Sequence, residues 1–183
     1  MEIVAKVLTD AIILKPRIYN DDRGYFYESF NDKVFKSLSG TTVNFIQDNQ
    51  SYSSKGTLRG LHFQKGGAAQ AKLVRVVKGS AYDVAVDLRP DSQTFKQWYG
   101  VELSAENHLQ FFIPRGFAHA FVALEDQTIF QYKVDNYYSG INDGGVIWND
   151  EELAITWPEL HLELSEKDNN LPKLNQLNIN TLW

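Results

Sequence analysis

The chain has 183 residues, 18 of them basic and 23 acidic, for a net charge of -5, and it contains no cysteine. Disulfides, thiolate metal sites and thiol nucleophiles are thereby excluded, and without a basic stripe no nucleic-acid partner is expected. The opening residues lack the basic start and apolar run of a signal peptide, and no stretch approaches the roughly 18 apolar residues that span a bilayer. We therefore expect a soluble, cytoplasmic protein with no membrane partner, forming a single domain over residues 1–183.

Ala11–Leu14 reads as a short strand closed by Lys15-Pro16. Arg23 to Phe30 alternates Tyr and Phe with polar residues and reads as a strand entered through a turn at Asn20-Asp-Asp22. Asn31–Leu38 is the clearest helix: Asn31 can cap it, Val34, Phe35 and Leu38 share a face, and Ser39-Gly40 stops it. After a break at Gln47-Asp-Asn49, strands are expected at Thr57–Gln64, Leu73–Val77, Ala81–Leu88, Trp98–Leu103, Gln110–Ile113, Phe117–Ala123, Thr128–Val134 and Val146–Trp148. Good turn chemistry separates them, and Ser165–Asn170 reads as one helical turn. Many short strands at intervals of about 8–12 residues point to an all-β sandwich, jelly roll or barrel.

One stretch resists a purely structural account. Leu58-Arg-Gly-Leu-His-Phe-Gln64 and Gln70-Ala-Lys-Leu-Val-Arg-Val-Val-Lys-Gly79 place Arg59, His62, Gln64, Lys72 and Arg75 on expected strands. Unpaired charges on a core-facing side are very costly, so these groups either face water or line a ligand pocket. Period-two alternation puts His62 with Leu58, Gly60 and Gln64 and puts Arg59 opposite, unless a bulge at Gly60 turns both inward. Taken singly, His62 suits a hydrogen-bonded core histidine, Lys72 an edge lysine and Tyr132 a core aromatic. Ser165-Glu-Lys-Asp168 likewise matches a capping box, in which Asp168 merely satisfies a helix start.

Pro114-Arg-Gly-Phe-Ala-His119 resembles the second motif of the cupin superfamily, which supplies one metal-binding histidine. Metal-binding cupins also need H-x-H and a following Glu, whereas this chain has His62-Phe-Gln64 and no such Glu. Three ligands are needed for a 2-His-1-carboxylate site, so no metal is expected.

Read together, the motifs resemble the dTDP-4-dehydrorhamnose 3,5-epimerase family. The blocks are Asp22-Arg-Gly-Tyr-Phe26 with Glu28-Ser-Phe30, Phe45-Ile-Gln-Asp-Asn49, Leu58–Gln64, Lys72-Leu-Val-Arg75 and Tyr82–Arg89. They continue with Ile113–Phe121, Tyr132-Lys133, Asn136-Tyr-Tyr138, Trp148-Asn-Asp150 and Leu164–Asp168, so the likeness runs from about Asp21 to Pro172. It implies a cupin-type jelly roll. It also implies a cofactor-independent isomerase that inverts C3 and C5 of dTDP-4-dehydro-6-deoxy-D-glucose, giving dTDP-4-dehydro-L-rhamnose.

Through the resemblance, His62 corresponds to the base, Asp168 to the carboxylate behind it, Tyr132 to the general acid and Lys72 to the cation at the enolate. Arg23, Glu28, Gln47, Asn49, Arg59, His119 and Lys167 correspond to nucleotide-sugar contacts, and Tyr138 to the ring that stacks on thymine. Asp143 occupies a contact position where the family has Glu. A homodimer is also implied, with the N-terminal segment, about residues 1–30, reaching the partner's sheet and bringing Arg23 and Glu28 to the neighbouring site. The tail from about residue 172 to 183 falls outside the resemblance and is expected to be peripheral, and Arg75 has no assigned role.

These residue types suit the chemistry. Both C3–H and C5–H lie α to a carbonyl, and a neutral imidazole, with an ordinary pKa of about 6.5, takes a proton at neutral pH. A carboxylate on its far nitrogen fixes the tautomer, a cation stabilises the enolate, and guanidinium groups suit a diphosphate. Two alternatives stay open at this point: a relative that inverts only one carbon, and a cupin that binds sugar nucleotides without turning them over.

Overall fold

The computed structural model describes residues 1–183. Twelve strands and a short edge strand form two packed sheets and a hairpin. The first sheet contains β1 (Glu2–Val7), β2 (Ala11–Lys15), β5 (Gln47–Ser53), β7 (Lys72–Lys78), β10 (Gln110–Ile113) and β12 (Thr128–Val134), ordered β1-β2-β10-β7-β12-β5. The second contains β6 (Leu58–Gln64), β8 (Ser80–Asp87), β9 (Trp98–Ser104), β11 (Phe117–Ala123) and β13 (Asp143–Gly145), ordered β13-β6-β11-β8-β9. Within both sheets every strand pairing is antiparallel. The remaining strands, β3 (Tyr19–Asp21) and β4 (Gly24–Phe26), form a separate hairpin with exposed Tyr19, Tyr25 and Phe26. The expected all-β jelly roll is present.

Alternation along the strands explains the layers. Val74, Val76 and Phe130 from the first sheet meet Ala85, Phe117 and Phe121 from the second, forming the core between them. Phe121 and Phe130 stack with centroids 4.1 Å apart. Each buried aromatic removes ~150–250 Å² from water, which makes this contact a principal source of cohesion between the sheets.

Both outer faces are also covered. Helix α1 (Asp32–Ser39) lays Phe35 against Ile12, Leu14, Leu73 and Phe112 on the first sheet. Its ends are fixed as the sequence suggested: the Asn31 side chain accepts from the Val34 amide, and Gly40 closes it in the left-handed region. The C-terminal tail is not peripheral, contrary to expectation. Leu174 and Leu182 are buried with Leu61, Val84, Val86 and Leu88 on the outer face of the second sheet. Trp183 packs edge-on against Phe63 and donates its indole N–H to the Leu88 carbonyl. The apolar residues of this tail are too scattered to display a period, so their burial shows only in three dimensions.

Other differences have similar causes. Strand β1 was not expected; it is a half-exposed edge strand held by its ladder to β2. Gln47-Asp-Asn49 reads as a break because it is wholly polar, yet it begins β5, paired through its length with β12. The strand expected over Arg23–Phe30 shrinks to Gly24–Phe26, one arm of the hairpin. The strand expected at Val146–Trp148 lies earlier, at Asp143–Gly145, and Val146 only exchanges two backbone hydrogen bonds with Leu61.

Candidate active site

A bulge in β6 creates the site. Across the β6–β11 ladder His119 pairs with His62 and Phe121 with Arg59, so three steps along β6 oppose two along β11. The extra residue turns Arg59 and His62 to one face, as the alternative with a bulge at Gly60 required. Gly60 has φ +130° and lies against β11; a Cβ there would come within 2.4 Å of the Ala120 Cβ. Only glycine fits this crossing.

The inward face carries a cavity of about 350 Å³, lined by Arg59, His62, Lys72, His119, Tyr132, Tyr138, Asp143, Lys167 and Asp168 among others. His62 Nε2 lies 2.6 Å from Asp168 Oδ1. Asp168 is 4% exposed and stands in the short helix α2 (Glu166–Asn169), whose start is capped by Ser165 accepting the Asp168 amide. Only the Ser165 half of the expected capping box forms: the Asp168 side chain does not return to the helix start but meets the imidazole and the Gly60 amide. Burial pushes this carboxyl upward, but the hydrogen bond from His62, the His62 charge and the Gly60 amide hold it below its ordinary value. With Nε2 engaged, Nδ1 is the His62 nitrogen left to take a proton.

Lys72 shares a strand face with Val74 and Val76 and is half-buried. It forms no ion pair within 4.0 Å. Burial lowers its ammonium to about 8, against the opposing charges of Asp83 and Asp143. Tyr132 follows Phe130 on the inward face of β12; burial raises its phenol, and the Arg59 charge works the other way. His119 is buried and meets the fully buried Asp83 at 2.8 Å. Burial lowers its pKa despite that carboxylate.

Asp83 was not among the candidates. Its position on a buried strand beside Ala85 and Asp87 was the available signal, since a carboxylate on a core face needs a partner. Ser51 was also missed; its buried hydroxyl in the cavity wall has no hydrogen-bond partner.

A larger groove, about 590 Å³, occupies the other face of the first sheet and includes Asp48, Gln50, Arg75 and Gln131. Arg75 points there because it alternates with Lys72 and Val74, and it donates to Gln131 at 2.9 Å. That groove has no histidine, and its charges are partly neutralised by the Lys133–Asp48 pair. A base, a cation and a phenol around one cavity belong to the smaller site, where they suit removal of a proton α to a carbonyl.

The sequence profile of dTDP-4-dehydrorhamnose 3,5-epimerase matches residues 5–176. The chain belongs to that family. The Escherichia coli K12 protein of this name is 52% identical over 178 residues, covering 97% of this chain and 96% of its own. The Bacillus anthracis enzyme, solved with TDP and pyrophosphate bound, is 56% identical, with a TM-score of 0.92 over 94% of this chain and 99% of that one. The Legionella pneumophila 3,5-epimerase, solved with dTDP-4-keto-L-rhamnose, is 45% identical, with a TM-score of 0.95 over 99% and 96% of the two chains. The jelly roll is therefore of the cupin type that this epimerase family shares.

Four residues assigned through the epimerase family lie outside the cavity of this single chain. Arg23 is exposed on the hairpin and paired with Asp21 at 2.6 Å, and Glu28 is exposed beyond β4. Gln47 donates to Asn49 at 2.9 Å, and Asn49 borders the larger groove. Both share the inward face of β5 with Ser51 but stand further along the strand.

Proposed function

We propose that this protein epimerises dTDP-4-dehydro-6-deoxy-D-glucose at C3 and C5, giving dTDP-4-dehydro-L-rhamnose. The observation that carries the reading is the His62–Asp168 pair facing Lys72 and Tyr132 across one cavity. Family membership over nearly the whole chain supports the same reaction.

His62 Nδ1 takes the proton from C3 or C5. The C–H electron pair moves into the ring, and the C4 carbonyl becomes an enolate stabilised by the Lys72 ammonium. Tyr132, whose raised pKa keeps the hydroxyl protonated, donates its proton to the carbon from the opposite face. The tyrosinate and imidazolium then exchange a proton through solvent, restoring both groups for the second centre. The substrate's own carbonyl supplies the acidity, so this sequence of steps calls for no cofactor. Arg59 and Lys167 contribute positive charge for the diphosphate, His119 a hydrogen bond to the sugar, and Tyr138 a face for the thymine.

The reading includes a homodimer. Arg23 and Glu28 lie on or beside a projecting hairpin with exposed Tyr19, Tyr25 and Phe26, which suits a segment that docks on a second copy and completes its site. Gln47 and Asn49 complete the site from β5 in the same arrangement. We place the reaction in the cytoplasm, since a diphosphate-linked sugar does not cross a bilayer unaided.

The deciding experiment follows the 4-keto substrate with enzyme in D₂O by NMR. Deuterium at both C3 and C5 with product formation supports the proposal. Label at one carbon alone would make the protein a single-centre epimerase, and no label with intact binding would make it a non-catalytic binder.

A further inference from the structure

Tyr138 lines the cavity, yet the residue is 61% exposed and has no aromatic neighbour. Its position is nevertheless defined, through one buried amide. Gln64, 5% exposed, accepts the Ser139 N–H on Oε1 at 2.8 Å and donates from Nε2 to Asp143 Oδ1 at 3.0 Å. The Ser139 N–H belongs to the peptide bond that joins it to Tyr138, so this contact fixes the backbone from which the ring projects. At the far end, the Tyr138 hydroxyl donates to Asp143 Oδ2 at 3.4 Å, and Lys167 pairs with the same oxygen. Gln64 therefore holds the ring at both ends, directly through Ser139 and indirectly through Asp143.

The chemistry of the partners dictates the residue. An N–H can meet only the amide oxygen, and a carboxylate only the NH₂ group, so both roles fall on one side chain. A carboxylate at position 64 would offer acceptors alone, and an aliphatic chain neither. The β6–β13 ladder, which pairs Gln64 with Asp143, brings the two strands together but leaves Tyr138 itself outside it.

We propose that Gln64 is a positioning residue that presets the Tyr138 ring for the nucleobase, and so governs affinity for the nucleotide half of the substrate rather than proton transfer. An exposed tyrosine without this clamp loses rotamer freedom on binding, and presetting it removes that cost. The inference rests on the reading of Tyr138 as a stacking surface for thymine, and the two are tested separately below.

The experiment is a double-mutant cycle on dTDP binding, measured by calorimetry, with steady-state kinetics on the sugar nucleotide. Gln64→Met should raise the Kd for dTDP about tenfold, the loss expected when a buried hydrogen-bonding pair is broken. KM should rise by a similar factor while kcat changes less. Tyr138→Ala should also weaken dTDP, and adding Gln64→Met to it should cost little more, because the clamp then has no ring to hold. If Gln64→Met does not fold, Gln64→Glu runs the same cycle, keeping the Ser139 contact while opposing Asp143. Additive losses, or a fall in kcat with KM unchanged, would overturn the assignment to Gln64. Unchanged dTDP affinity in Tyr138→Ala would instead overturn the stacking role, and with it the purpose of the clamp.

Discussion

Asp168 Oδ1 lies 2.6 Å from His62 Nε2, although 106 positions separate the two residues in the chain. The pair fixes which imidazole nitrogen carries the proton at rest and leaves Nδ1 toward the cavity. Asp168→Asn, which keeps the shape but removes the charge, should lower kcat by roughly 10²–10⁴-fold. His62→Ala should abolish deuterium exchange at both carbons. Near-normal exchange in either variant, measured by NMR in D₂O, would remove the pair from the mechanism.

Lys72 predicts opposite effects on rate and stability. Its ammonium titrates at about 8, so kcat should fall as pH rises through that value. An unfolded lysine keeps its proton to about 10.4, so between these limits the unfolded chain binds more protons and folding gains stability as pH rises. Below that window the buried charge is a net cost, moderated by partial exposure to solvent. Lys72→Met should therefore raise Tm at neutral pH by about 2–4 °C while suppressing turnover. A lower Tm on calorimetry would mean that Asp83 and Asp143 compensate the burial fully.

Tyr132→Phe should separate the two halves of the reaction. In the proposed mechanism, His62 would still remove a proton and return solvent deuterium to the same face, while inversion would lose its donor. Product formation should fall by roughly 10²–10⁴-fold, and exchange by much less. Equal losses would assign Tyr132 to binding or positioning instead.

The C-terminal tail contributes to the fold. Leu174 and Leu182 lie 2% and 5% exposed against the outer face of the second sheet. Leu174→Ala should destabilise by about 2–5 kcal/mol, the usual cost of emptying a buried leucine site. The midpoint of urea denaturation measures this directly, and an unchanged midpoint would show that the tail does not hold the sheet.

Legibility in the sequence followed local periodicity. Phe117–Ala123, Thr128–Val134 and Gln110–Ile113 were placed to the residue because alternation and flanking turns marked both ends. The polar strand at Gln47–Ser53 was not, since its pairing with β12 replaces any hydrophobic pattern. Asp143–Gly145 was missed for the same reason: two glycines carry no side-chain signal, and only the partner strand makes them a strand.

By itself the sequence determined that this chain is all-β and that its motifs carry a histidine, a lysine, a tyrosine and a distant aspartate. Those are properties of residue type, order and period, which the one-dimensional chain already contains. Tertiary structure decided which of them meet. The bulge at Gly60 turns Arg59 and His62 to one face, and α2 carries Asp168 to His62. Packing on the outer sheet faces makes the tail a structural element. Distances between remote residues depend on ladder register and close packing, which no local pattern of side chains encodes.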